Sequence, residues 1–68
     1  MMRICYQGRS CETDAPTVKA FLESRRLVGI SAMLIEYKGE VYGPGFDLST
    51  LTLEPDAELN VFHVVAGG

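Results

Sequence analysis

The stretch Leu59-Asn60-Val61-Phe62-His63-Val64-Val65-Ala66-Gly67-Gly68 decides how the rest of the chain must be arranged. Val61, Phe62, Val64 and Val65 have the β-branched or aromatic shapes that suit a pleated surface, and no turn residue interrupts them. Apolar residues fall on both alternating sets, with Leu59, Val61 and Val65 on one and Phe62 and Val64 on the other. Both faces of this strand need cover, which predicts a central strand in a sheet whose outer face meets something else. Gly67 and Gly68 have no side chain to anchor them. A firmly held strand running into a thin, flexible carboxylate is a handle for chemistry done by another protein.

The 68 residues predict one small domain, spanning 1–68. An apolar content of 47% is ample for a core, and a charged content of 22% argues against disorder. No apolar run approaches the roughly 20 residues that a membrane span needs. Met1-Met2-Arg3-Ile4-Cys5 lacks a signal peptide's apolar stretch, so a cytoplasmic location is expected. A net charge of −3 excludes a general nucleic-acid binder, because nothing neutralises a run of phosphates. Arg25-Arg26, the only basic pair, suits the solvent-facing last turn of a helix. The acidic surface fits protein partners with basic docking patches.

Arg3 to Gln7 alternates as a half-buried strand, and Gly8-Arg9 reads as a two-residue type II′ loop into a second strand, Ser10 to Asp14. That register sets Gln7 opposite Ser10 and Tyr6 opposite Cys11, with Ile4, Tyr6, Cys11 and Thr13 on one face. Cys5 and Cys11 then lie on opposite faces and cannot form a disulfide. Reduced thiols are expected, Cys11 as a small core residue and Cys5 half-exposed. No basic neighbour can be assigned to activate either thiol. With a single histidine they also make a poor metal site.

Thr17 is the preferred cap of a helix of roughly three turns, with Asp14 as the alternative. Val18, Phe21 and Leu22 form its apolar stripe, Leu27 and Val28 close it, and Gly29 takes the left-handed position that ends it. Ile30 to Tyr37 follows as a strand with Met33, Ile35 and Tyr37 inward, then a turn at Lys38-Gly39 and a short strand Glu40-Val41-Tyr42. Gly43-Pro44-Gly45 breaks structure. Phe46, Leu48, Leu51 and Leu53 predict a loop or single helical turn packed over the open end of the core, and Glu54 to Ala57 is the last turn. The order β-β-α-β-β-β predicts an α+β roll of the β-grasp kind, one helix on a four- or five-stranded mixed sheet.

With this order, the ending Val64-Val65-Ala66-Gly67-Gly68 resembles the ThiS/MoaD family of ubiquitin-like sulfur carriers, and the length is nearer to the ThiS branch. Thr17-Val18-x-x-Phe21-Leu22 resembles the family's helix start, and Gly39-Glu40-Val41 resembles part of a motif that usually opens with Asn. Lys38 stands in place of that Asn, and Glu54-Pro55-Asp56-Ala57-Glu58 replaces the usual Asp-Gly-Asp turn. The resemblance implies a cosubstrate rather than an enzyme. An E1-like, ThiF-like adenylyltransferase would join the carboxylate of Gly68 to AMP, using ATP and magnesium that the carrier itself does not bind. A persulfide donor would then convert it to a thiocarboxylate, whose sulfur a ThiG-like thiazole synthase accepts for thiamine biosynthesis.

Ala66 and Gly67 form the tail, and Phe62 and Val64, with Cys5, form the expected outer docking patch of a protein that is a monomer when free. Two other readings stay open: a MoaD-like carrier for molybdopterin or another sulfur-containing metabolite, and a β-grasp binding module that docks through its sheet without sulfur chemistry. A ubiquitin-like protein modifier is a third. His63 has no identifiable acid-base partner and reads as a half-buried polar strand residue. Glu12, Glu36, Glu40 and Glu58 read as solubilising surface.

Overall fold

Strand β1 (Met2–Tyr6) and strand β2 (Arg9–Thr13) form an antiparallel hairpin in the computed structural model, which describes residues 1–27 and 32–63. Its loop is Gln7-Gly8, not Gly8-Arg9. Both loop residues are left-handed, at φ 51° and 79°, as a type I′ turn requires. Tyr6 therefore faces Arg9 and Ile4 faces Cys11. The sequence-derived register is off by two, an even slip that leaves every side chain on its predicted face. Ile4, Tyr6, Cys11 and Thr13 do point together, and Cys5 and Cys11 are free thiols on opposite faces. Cys11 is half-buried at the rim of the core, not within it.

Thr17 caps helix α1 (Val18–Ser24), its hydroxyl accepting the Ala20 N–H at 3.1 Å. Val18, Phe21 and Leu22 are buried as the stripe predicts. The helix is shorter than expected, seven residues. Arg25 and Arg26 donate their N–H groups three residues back, to Leu22 and Glu23, and Arg26 takes the left-handed position at φ 57°. Arg26 thus ends the helix where Gly29 was expected to. Val28, Gly29, Ile30 and Ser31 lie outside the described residues. Arg25 is exposed, as expected of a cation at the helix end, yet its side chain lies back along the protein surface. Its guanidinium lies 5.5 Å from the Tyr6 ring and 5.1 Å from the Phe21 ring, and donates to Cys11 Sγ at 2.8 Å.

Strand β3 (Met33–Tyr37) turns through Lys38-Gly39 into β4 (Glu40–Tyr42), again with both turn residues left-handed, at 54° and 83°. Met33, Ile35 and Tyr37 are buried. A 3₁₀ turn (Leu48–Thr50) closes the end of the core with buried Leu48 and Leu53. Backbone bonds from Val18 to Leu51 and from Leu53 to Pro16, each 3.0 Å, stitch this segment to the start of α1. Phe46 departs from the predicted inward set: it is exposed and stacks on Tyr42, ring centroids 4.6 Å apart. Strand β5 (Glu58–His63) completes a five-stranded sheet in the order β2-β1-β5-β3-β4. It runs parallel to β1 and antiparallel to β3, so it is the central strand that its composition predicts.

Candidate functional site: the outer face of the central strand

Leu59 and Val61 point from β5 into the layer shared with α1, at 0% and 8% exposure, while Phe62 points the other way at 49%. The helix covers only the inner face. On the outer face Phe62 stands directly opposite Leu34 of β3, and one step along the sheet Asn60 stands opposite Glu36. Asn60 donates its side-chain amide to Glu36 Oε1 at 2.8 Å, and Glu36 in turn neighbours exposed Val41 on β4. An apolar pair therefore sits beside a satisfied polar pair, and the glutamates Glu12, Glu36 and Glu58 share this face with Arg3.

Of the residues that sequence reading assigns to a docking patch, Cys5 is on this face but pairs with Glu58, four positions before Phe62 on β5. At a strand's rise this is roughly 13 Å from the aromatic ring's position. Phe62 is brought together with Leu34, not with Cys5. Cys5 instead lines a shallow concavity of about 130 Å³ with Arg3, Ser10 and Asp56. Val64, Ala66, Gly67 and Gly68 lie outside the described residues. Leu34 was missed, although its place between inward Met33 and Ile35 is a period-2 signal that would have found it. His63 pairs with Met33 and is exposed rather than half-buried.

Both departures from the sulfur-carrier pattern meet at one place. Lys38 Nζ lies 2.6 Å from Glu54 Oε2. The hydrogen bond to Glu54 holds the Lys38 ammonium above its ordinary range. Lys38 and Asp56 are both left-handed, at φ 54° and 63°, a region that Asn and Gly tolerate best. The Lys38–Glu54 ion pair links the two turns. Lys38 and Glu54 line a groove of about 380 Å³ with Tyr37, Tyr42 and Thr50, away from the outer face of β5. Beneath it Tyr37 donates its hydroxyl to Thr52 C=O and accepts the Glu54 N–H, both at 2.8 Å.

Among the described residues no group of three or more His, Cys, Asp or Glu side chains could hold a metal ion, and no helix is long and apolar enough to cross a membrane. One helix laid across a mixed sheet in this strand order defines the β-grasp, or ubiquitin-like, class of α+β proteins. Within it, the chain is similar to the crystal structure of a thiamine biosynthesis protein (ThiS) from Geobacter metallireducens, with a TM-score of 0.79 and 18% sequence identity. The match covers 98% of this chain and 100% of that one, and at such identity it is a likeness of fold. No family model and no curated protein matches the chain.

Proposed function

We propose that this chain is a sulfur carrier for thiazole formation in thiamine biosynthesis, a cosubstrate of partner enzymes and not itself an enzyme. The supporting observation is the end-to-end fold likeness to the Geobacter metallireducens ThiS protein, with neither chain leaving a segment of any size unmatched. It is joined by the Ala66-Gly67-Gly68 ending that follows the central strand. The setting is cytoplasmic, and the free carrier is a monomer.

A carboxylate resists nucleophiles because of its charge and resonance. A ThiF-like adenylyltransferase transfers AMP from magnesium-bound ATP to the Gly68 carboxylate and releases pyrophosphate. The terminal sulfur of a protein persulfide attacks the acyl carbon and expels AMP, giving an acyl disulfide. A thiol then attacks the inner sulfur of the donor. It takes up that sulfur as a disulfide and leaves the thiocarboxylate on Gly68, with two electrons supplied by the thiols. A ThiG-like synthase accepts the sulfur. Without a Cβ, Gly67 and Gly68 pass through a narrow channel that a larger residue would block. Phe62 and Leu34, with Cys5 and Val64, belong to the surface that docks on these partners.

Intact-mass measurement of the chain after incubation with the adenylyltransferase, ATP, magnesium and a persulfide donor tests this. One sulfur-for-oxygen exchange is expected, and deletion of Gly68 abolishes it while leaving the melting temperature unchanged. No mass change with a cognate enzyme overturns the reading. Transfer of the sulfur to a molybdopterin synthase but not to a thiazole synthase replaces the pathway and keeps the chemistry.

A further inference from the structure

The geometry points to Gln7 as a positioning residue for this carrier reaction: its side-chain amide stands in for a missing strand residue and closes the edge of β5 at Val61, fixing the strand that precedes the reacting Gly68 in sequence. The inference rests on the function proposed above. β1 ends at Tyr6, which pairs with Leu59, whereas β5 runs on to His63. Past Leu59, no strand among the described residues lies beside the edge of β5 that faces β1. Gln7 cannot extend β1, because its left-handed backbone turns into the hairpin loop. Its N–H still donates to Leu59 C=O at 3.0 Å.

The side chain then takes over the ladder. Nε2 donates to Val61 C=O at 3.1 Å, and Val61 N–H donates to Oε1 at 2.9 Å. A primary amide offers a donor and an acceptor side by side, the same pair that a strand residue offers. On the opposite edge β3 holds β5 as far as His63. This stretch of β5 is thus held on both edges, Val61 by Gln7 and the strand as a whole by β3, seven residues before Gly68 in sequence. Any residue released here adds backbone freedom that docking on an enzyme must remove, which weakens binding and leaves the acyl chemistry alone. The clamp also denies Val61 to a foreign strand seeking an open edge.

The test uses the full chain and compares wild type with Gln7→Ala and Gln7→Glu. With pyrophosphate release as the assay, Gln7→Ala is expected to raise the KM for the carrier about tenfold with kcat within about twofold, the loss of two exposed-edge hydrogen bonds. Amide exchange at Val61 should accelerate by about the same factor while that at Leu59 holds. In Gln7→Glu the carboxylate cannot donate to Val61 C=O, so protection is reduced at neutral pH and returns as the introduced carboxyl is protonated. An unchanged KM, or a fall in kcat alone, overturns the positioning role. If the wild-type chain is never adenylated, the carrier reading fails by itself. Val61 exchange then judges the clamp: faster exchange in Gln7→Ala upholds it, and unchanged exchange overturns it.

Discussion

Tyr37 is buried to 3% exposure, yet its hydroxyl is fully used, donating to Thr52 C=O and accepting from Glu54 N–H. It fastens the turn before β5 to β3 with one polar atom. Burial pushes its hydroxyl above the ordinary tyrosine value, against the smaller opposing effect of the Glu54 N–H. A raised pKa in the folded state means that the protonated form is favoured by folding. The associated stability is complete below the unfolded value of about 10 and is lost as pH rises through the folded one. Tyr37→Phe should cost about 1–3 kcal/mol at neutral pH, because two part-buried hydrogen bonds to the backbone are lost. It should also flatten the alkaline fall of stability, leaving the part due to Tyr6, which burial likewise raises. Urea unfolding repeated from pH 7 to 11 checks both, and an alkaline slope identical to wild type counts against the assignment.

At the scale of elements, α1 depends unusually on its ends, since seven residues make two turns and little internal cooperativity. Thr17→Ala removes the acceptor for Ala20 N–H and is expected to cost about 1 kcal/mol, a fall in melting temperature of about 4–8 °C for a chain of this size. Thr17→Ser should recover most of it, and equal melting of all three would contradict the cap. The cap, the apolar stripe and the inward set on β3 were legible because they rest on period and local side-chain chemistry. The hairpin phase was not, because the type I′ turn is held from outside: Gln7 is bound through backbone and side chain to β5, more than fifty residues away. The early end of α1 was missed for a similar reason. Arg25 is drawn onto Tyr6, Phe21 and Cys11, contacts that exist only once β1 and β2 lie under the helix. No spacing in the sequence encodes either.

For the molecule as a whole, stability and proposed reactivity are separated in space: the core lies between α1 and the inner sheet face, and the outer face of β5 contributes little to it. The exposed neighbourhood on the outer face was half legible. Phe62 was recognised by its alternation, whereas its true neighbour Leu34 belongs to a strand whose register to β5 no local pattern fixes. Phe62→Ser tests the separation. Phe62 is already half in water, so little apolar area is returned to solvent in the free protein, and the melting temperature should shift by no more than a few degrees. If the Phe62–Leu34 pair is covered by the adenylyltransferase, the same change removes a buried aromatic anchor, for which losses of 2 kcal/mol or more, about thirtyfold in affinity, are usual. Binding measured by calorimetry should therefore collapse while the free chain stays folded. Leu34→Ser should act in the same direction, and the pair together should fall short of additivity, because the two stand directly opposite each other on adjacent strands. Wild-type affinity in both single variants would place the docking surface elsewhere and leave the Phe62–Leu34 pair as ordinary exposed sheet.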